Sequence, residues 1–254
     1  ITDGVKHKTF DPPLIRELDG ISIAVSEVNM TPLTTAVKFK LFKPKRYETD
    51  FDEMQNAVKG DVIIRRELEF RLWDTDSLQI EPIGSSSSGS GEADGLHEYI
   101  VEFAPASTQE RELTLRTYEQ EWKMISQGGG SFTGADQPEI RYAPLPEGYP
   151  YTMKQGEAGE IVFRNVKRER DQTWIEYEVR GSEPYVQDGA WWLEGANGEQ
   201  YRFDRYDQTR LQENAYVYRT KLPALPPNGT YKIAVAQLKP QRLLKPLDIA
   251  IPLD

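Results

Sequence analysis

The chain has 254 residues, of which 38% are hydrophobic and 28% charged, with a formal net charge of −10 and no cysteine. This surplus of negative charge argues against nucleic-acid partners, because phosphate backbones select basic surfaces. The lack of cysteine excludes disulfides and thiolate metal sites. No apolar run reaches the roughly 18 residues that a membrane-spanning helix needs, so we expect a globular chain without a membrane span.

Short segments with alternating apolar and polar side chains dominate the first half of the chain. They cover residues 21–25, 37–41, 68–72, 99–103 and 113–115. This period of two is typical of strands with one buried and one solvated face. We therefore predict antiparallel strands at all five positions, separated by turns.

Other segments of this half predict a helix, a loop and a linker. Residues 49–58 predict the one helix, capped at its first or second residue. The Gly/Ser-rich residues 84–91 predict a mobile hairpin tip, and not a phosphate loop, because no Gly-Lys-Ser/Thr sequence follows them. Residues 127–134 and 138–150 are rich in glycine and proline, respectively, which is typical of a junction between domains.

The second half repeats the first. The sequence GISIAVSEV from Gly20 reappears as GEIVFRNVK from Gly159, displaced by about 140 residues when Ile21 is paired with Ile161 (161 − 21). Later strand segments keep the same order, and a repeat of this length indicates two copies of a whole domain. We predict an all-β fold of two tandem immunoglobulin-like antiparallel β-sandwich domains, covering residues 1–149 and 150–254.

Side chains suited to catalysis are few. His7 and His97 lie in different contexts, and neither belongs to a recognisable Ser-His-Asp arrangement. Asp74-Thr75-Asp76 indicates a turn, because the oxygen ligands that a calcium loop would need do not follow it. We therefore predict a protein that is not an enzyme, with no catalytic residue, metal site or cofactor. A β-sandwich hydrolase, using two facing carboxylates or His97 with a hydroxyl, is a second alternative.

Exposed aromatic residues are the candidates for ligand binding. Trp174 alternates with Ile175 and should face outward, beside two glutamates. The neighbours Trp191 and Trp192 must point to opposite faces of a strand, so either one fills the core while the other packs on the junction, or one joins a ligand platform. With Tyr206, these residues form the weak candidate site of a carbohydrate-binding module, which is the first alternative function.

Positive charge is concentrated at two equivalent hairpins. The first carries Lys38, Lys40, Lys43, Lys45 and Arg46, and the second carries Arg164, Lys167, Arg168 and Arg170. Such charges usually belong to solvated strand faces and protected sheet edges. The alternative is a docking site for an acidic cell-wall polymer.

The strand pattern resembles a known family of proteins. The segments GISIAVSEV and TAVKFKLF, with YKIAVAQLKPQRLLKPLDIAIPL at the end of the second copy, resemble the immunoglobulin-like ectodomains of Gram-positive membrane-anchored, anti-sigma-factor-like proteins. The resemblance implies a non-enzymatic interaction or sensor module at the cell surface, outside the cytoplasm, linked to sigma-factor regulation. It also implies that a membrane tether belongs to the full-length protein and that the partner is a protein or a cell-wall polymer.

Overall fold

Antiparallel strands make up most of the computed structural model, which describes residues 5–47, 51–89, 96–107, 109–128, 131–134, 137–226 and 228–254. This confirms the all-β prediction. In chain order the strands are β1 (Lys6–Leu18), β2 (Ile21–Met30), β3 (Thr35–Phe42), β4 (Val62–Trp73), β5 (Pro82–Gly89), β6 (Leu96–Phe103), β7 (Glu112–Gly128), β8 (Ser131–Gly134), β9 (Ile140–Pro144), β10 (Tyr151–Lys154), β11 (Gly159–Arg168), β12 (Gln172–Gly181), β13 (Trp191–Gly195), β14 (Gln200–Tyr201), β15 (Gln208–Arg210), β16 (Val217–Pro223), β17 (Tyr231–Ala236), β18 (Arg242–Leu243) and β19 (Ile249–Pro252). The α-helices are α1 (Phe51–Asn56) and α2 (Pro184–Asp188), and short 3-10 helices cover Lys45–Tyr47, Arg205–Asp207 and Lys245–Leu247.

The chain divides into two units, the first containing Ile1–Asp136 and Gln241–Asp254 and the second Gln137–Pro240. In the first unit, one sheet has the strand order β1-β2-β3-β6-β5. The other sheet is built around β7, which pairs with β4 along one edge and with β19, β18 and β8 in turn along the other. The buried faces of both sheets contribute to one hydrophobic core.

One sheet of the second unit follows the same strand order as the β1-β2-β3-β6-β5 sheet of the first. One of its sheets has the order β10-β11-β12-β16-β15, and the other has the order β14-β13-β17-β9. The buried faces of these sheets also share one core. Each unit is thus a pair of antiparallel sheets whose apolar faces pack on each other, which is the sandwich-like arrangement that half-buried strands favour.

A shared irregularity fixes how the two copies correspond. In the β2–β3 pair the register shifts between Val25 and Glu27, and in the β11–β12 pair it shifts between Phe163 and Asn165. The bulges are therefore 138 residues apart (163 − 25). The predicted pairing of Ile21 with Ile161 was wrong by two residues, which a period-2 pattern hides because a shift of two leaves every side chain on the same face.

Equivalent aromatic clusters fill the two cores. In the first unit the ring of Phe39 packs edge-on against Phe70 of the opposite sheet, with 4.7 Å between ring centroids, and Tyr99 stacks beside it at 5.6 Å. In the second unit Tyr177 takes the place of Phe39. Its ring lies edge-on to Trp191 at 4.9 Å. Edge-on packing of this kind stabilises a core beyond the area that it buries.

The Gly/Ser-rich segment is a strand where a mobile loop was predicted. Strand β5 includes residues 84–89, whose backbone pairs with β6 from Gly84↔Glu102 to Gly89↔His97. Hydrogen bonding to a neighbouring strand outweighs the low strand propensity of serine and glycine here. Residues 90 and 91 of the predicted loop lie outside the described part of the chain.

The structure also differs from the predicted helix and linker segments. Helix α1 lies within the predicted segment 49–58, whereas its predicted cap, at residue 49 or 50, is outside the described residues. The predicted linker 127–134 includes the end of β7 and all of β8, which pairs back onto β7. Within 138–150, strand β9 pairs with β17 and belongs to the second unit.

The units differ from the predicted domains 1–149 and 150–254 at both ends of the second unit. Strand β9 starts the second unit before residue 150, and the last strands, β18 and β19, return to β7 of the first unit. The second unit is therefore an insertion between β8 and β18. The sequence pattern indicated strands at both places but not their pairing partners.

This insertion predicts unequal behaviour of two fragments. Fragment 137–240 should unfold cooperatively in urea, because it contains both sheets of its unit. Fragment 1–149 should not, because it lacks the buried side chains of Leu244, Leu247, Ile249, Ile251 and Leu253. Burial of each contributes about 1.5–3 kcal/mol, so their combined loss is comparable to the roughly 5–15 kcal/mol that stabilises a typical domain.

A single substitution in the whole chain tests whether β19 contributes to the core of the first unit. Ile251→Ala should lower the free energy of unfolding by about 2–5 kcal/mol, because Ile251 is fully buried against β7. The exposed neighbour Ala250 provides the control, and Ala250→Ser should change stability by less than about 0.5 kcal/mol. Cooperative unfolding of fragment 1–149 with full stability would contradict the assignment of β19 to this core.

Candidate functional site

A charged cleft of about 470 Å³ opens in the first unit, and we call it the arginine cleft. Its polar wall contains Asp19, Arg46, Tyr47, Arg66, Glu119, Glu121 and Arg242, and its apolar wall contains Leu18, Ile21 and Leu244. The polar residues come from segments far apart in the sequence, so only the folded chain brings them together. Seven of its ten lining residues are polar or charged, so the cleft is suited to a charged group and differs from the mostly apolar pockets that bind small molecules.

The length of β7 explains the two glutamates. Leu113 and Leu115 face the core, Thr117 continues the same face, and the alternation then places Glu119 and Glu121 on it. Cross-strand register provides their partners, since Glu121 lies opposite Arg66 and Glu119 opposite Arg242. The core-facing side of β7 thus changes from apolar to charged as the strand continues.

Ion pairs hold these carboxylates in place. An Nη of Arg66 lies 2.9 Å from Glu121, and an Nη of Arg242 donates to Glu119 at 3.1 Å. The continued alternation along β7 already indicated in the sequence that both glutamates lie on its core-facing side. Our strand prediction ended at residue 115 and therefore missed both glutamates.

Tyr47 closes the inner end of the polar wall. Its side chain is buried, and its hydroxyl donates a hydrogen bond to the other oxygen of Glu119. Burial, and then the nearby Glu119 carboxylate, raise the pKa of Tyr47 above its ordinary value. The phenol therefore remains protonated at neutral pH and acts as a hydrogen-bond donor.

Arg46 differs from the other two arginines of the cleft. An Nη of Arg46 donates to the main-chain carbonyl of Asp19 at 2.8 Å, and its guanidinium lies over the Tyr47 ring, 5.1 Å from the centroid. Within the described part of the chain, no carboxylate lies within ion-pair distance of Arg46. The Asp19 carbonyl and the Tyr47 ring hold its charge in a fixed position.

The predicted aromatic platform does not form. Trp191 is only 1% exposed and lies in the core between Tyr177 and Phe163. Trp192 points to the opposite face of β13, where it is also buried and the guanidinium of Arg202 covers its ring at 4.1 Å. Trp191 therefore fills the core, as one of the two alternatives predicted, and Trp192 is covered as well, because whether a strand face is exposed depends on what packs over it.

The other two aromatic candidates reach solvent. Tyr206 is 97% exposed, in the 3-10 helix after β14. Trp174 is partly exposed on the outward face of β12, as its alternation with Ile175 predicted. The two are therefore accessible, but neither pairs with Trp191 or Trp192 to form a flat binding surface.

The candidates for hydrolase chemistry occupy ordinary structural positions. His97 packs edge-on against Tyr99 with 6.2 Å between ring centroids, and His7 lies 2.9 Å from Glu27 on the neighbouring strand. Asp74 accepts a hydrogen bond from the backbone N–H of Leu78 at 2.8 Å, which confirms the turn that its sequence predicted. In the described ranges, no three acidic or histidine side chains converge in a way that could hold a metal ion.

Three of the nine predicted basic residues, Lys38, Arg164 and Lys167, take part in ion pairs between described residues. Lys38 pairs with Glu98 at 3.1 Å in the first unit. In the second unit, Glu178 accepts from Arg180 at 2.8 Å and from Arg164 at 2.7 Å. The hydrogen bond from Arg180 is the main cause that holds the pKa of Glu178 below its ordinary value. This arrangement fits solvated strand faces, and it leaves the arginine cleft as the more enclosed charged site.

Comparisons with known proteins leave the family open. No protein-family model and no curated protein matches the chain. The crystal structure of a conserved domain protein from Bacillus anthracis aligns over 98% of this chain and 92% of its own, with 11% sequence identity and a TM-score of 0.27. A likeness this distant supports no argument about fold or function. Among the described residues, no helix is long and apolar enough to cross a membrane.

The ion pairs of Glu178 predict a pH-dependent contribution to stability. Its pKa is lower in the folded state than in the unfolded state, so the stabilisation is present above the unfolded pKa and is lost as pH falls through the folded pKa. Glu178→Gln should lower the free energy of unfolding at pH 7 by about 1 kcal/mol or less. The difference from wild type should disappear in acid.

Urea unfolding at pH 7 and at pH 3 tests this expectation. Glu157→Gln is the matched control, because Glu157 is exposed on the same unit. The control should follow wild type at both pH values. An effect of Glu178→Gln that is equal at the two pH values would contradict an electrostatic origin.

Proposed function

We propose that the protein is a non-enzymatic binding module and that its arginine cleft receives an anionic group, a carboxylate or phosphate, presented by a partner. The observation that carries this proposal is the guanidinium of Arg46. It faces a cleft and has no carboxylate partner among the described residues. A planar guanidinium with free N–H groups is well suited to bidentate binding of carboxylate or phosphate.

The surroundings of Arg46 support binding through preorganisation. The Asp19 carbonyl and the Tyr47 ring fix the guanidinium before a ligand arrives. Tyr47 is itself held by its hydrogen bond to Glu119. Less side-chain entropy is therefore lost on binding than with a free surface arginine.

The remaining charges of the cleft favour binding over catalysis. The raised pKa of Tyr47 keeps its phenol protonated, which makes it a poor nucleophile at neutral pH. Both oxygens of Glu119 accept hydrogen bonds, from Arg242 and Tyr47, and one oxygen of Glu121 accepts from Arg66, so these carboxylates are engaged by donors. The hydrolase alternative thus has less support than a binding role.

The fold type of each unit and the cellular location of the protein extend this proposal. We propose that each unit is an immunoglobulin-like β-sandwich, supported by the matching strand orders and by the equivalent bulges. The resemblance of the strand pattern supports an extracytoplasmic module, tethered to the membrane in the full-length protein and linked to sigma-factor regulation. An acidic cell-wall polymer or an acidic protein surface would present the anionic groups that the cleft takes.

Substitution of Arg46 tests the binding proposal. A fluorescent oligo-aspartate peptide and inorganic phosphate serve as probes, with fluorescence anisotropy for the peptide and calorimetry for phosphate. Arg46→Gln should weaken binding of at least one probe by about 10- to 100-fold, because a hydrogen bond to a charged group contributes about 1.5–3 kcal/mol. Wild type that binds neither probe would overturn the proposal.

A matched control separates the cleft from general charge. Arg141 is exposed in the second unit, so Arg141→Gln removes the same charge outside the cleft. It should leave both affinities within about twofold of wild type. Equal losses for Arg46→Gln and Arg141→Gln would indicate non-specific attraction and not a site.

Surface labelling of intact cells tests the proposed location. A membrane-impermeant amine reagent should label exposed lysines such as Lys239 in the full-length protein in its own host. A cytoplasmic protein of the same cells is the control and should remain unlabelled. Labelling that appears only after lysis would contradict an extracytoplasmic location.

A further inference from the structure

We propose a second binding site, on the outward face of β11, β12 and β16 in the second unit, that takes an acidic polysaccharide. The site is a row of three side chains that cross-strand pairing places side by side. Lys167 lies opposite Trp174, and Trp174 lies opposite Lys221. An aromatic ring is thus flanked on both sides by an amine.

The row is accessible to a ligand. The side chain of Lys167 is 68% exposed, Lys221 is exposed and Trp174 is partly exposed. The neighbouring residues of β12, Thr173 and Ile175, are buried on the opposite face. The indole therefore belongs to the solvated side of the sheet, although part of its surface packs on its neighbours.

A carboxylate beside the row holds one of its amines in place. Glu169 pairs with Lys167 at 2.7 Å and accepts a hydrogen bond from Gln172 at 3.0 Å. The hydrogen bond from Lys167 is the main cause that holds the pKa of Glu169 below its ordinary value. One flanking amine is thus positioned before a ligand arrives.

The charges of this face suit an anionic ligand. Glu169 is paired with Lys167, Glu176 with Arg219, and Glu178 with both Arg164 and Arg180, so each of these carboxylates already has a cationic partner. Lys221 has no carboxylate partner in the part of the chain that the structure describes. On a protein of net charge −10, this local surplus of cations is an exception to the overall balance.

Aromatic and basic groups in one row select a sugar that carries acid groups. The C–H face of a sugar ring packs on the negative face of an indole, and acid groups on neighbouring sugars can reach the amines. Strands lie about 4.8 Å apart, so the outer two positions are separated by about 10 Å. That distance is close to the length of two linked sugar rings.

Affinity electrophoresis with three polymers tests the proposal. Polygalacturonate combines sugar rings and acid groups, dextran has the rings alone, and poly-glutamate has the acid groups alone. Wild type should be retarded by polygalacturonate and much less by the other two. Equal retardation by poly-glutamate would overturn the proposal in favour of plain charge attraction, and the absence of retardation by polygalacturonate would overturn it altogether.

Substitutions locate the binding on this face. Trp174→Ala and Lys221→Gln should each weaken polygalacturonate binding by about three- to tenfold. Trp174→Phe keeps an aromatic ring and should retain part of the affinity. Lys239→Gln is the matched control on an exposed lysine of the same unit and should bind as wild type does.

The cleft variant separates the two proposals. Arg46→Gln should leave polygalacturonate binding on this face unchanged, because Arg46 belongs to the other unit. Circular dichroism and unfolding curves establish that each variant is folded. A folded Trp174→Ala variant with wild-type affinity would overturn the assignment of the sugar to this row.

Discussion

Strand β7 is paired along both edges, and the rest of the structure depends on this constraint. Strand β4 satisfies one edge, and β19, β18 and β8 satisfy the other. Without β19, Leu113 and Leu115 would lose their neighbours and the backbone groups opposite them would lack partners. The end of the chain therefore has to return to the first unit, which makes the second unit an insertion although one of its sheets repeats a strand order of the first.

The same strand positions the candidate cleft. Because β7 is 17 residues long, its core-facing side continues from Leu115 through Thr117 to Glu119. Buried Tyr47 and cross-strand Arg242 satisfy that carboxylate, as a charge near a core requires. Arg46 is then held beside a carboxylate that other groups already satisfy, by its hydrogen bond to the Asp19 carbonyl and its contact with the Tyr47 ring. The cleft forms because β7 continues beyond its hydrophobic segment.

In the second unit, the two faces of one sheet have separate roles. Tyr177 of β12 lies at the centre of the aromatic core, where burial raises its pKa well above the ordinary value. Trp174 of the same strand has the opposite orientation and lies among ion pairs and amines. Alternation along one strand thus supplies both the packing that stabilises the unit and a surface available for binding.

The sequence by itself determined that the chain is all-β and which faces of its alternating strands are buried, because period-2 alternation is a local property. It correctly placed Ile175 inside and Trp174 outside. Only the tertiary structure decided which strands pair, and hence that residues 84–89 form a strand and that β19 belongs to the first unit. It also decided that Arg202 covers Trp192, and that Arg46, Tyr47 and Glu119 meet in one cleft. Pairing partners and covering side chains come from distant parts of the chain, and no local pattern encodes them.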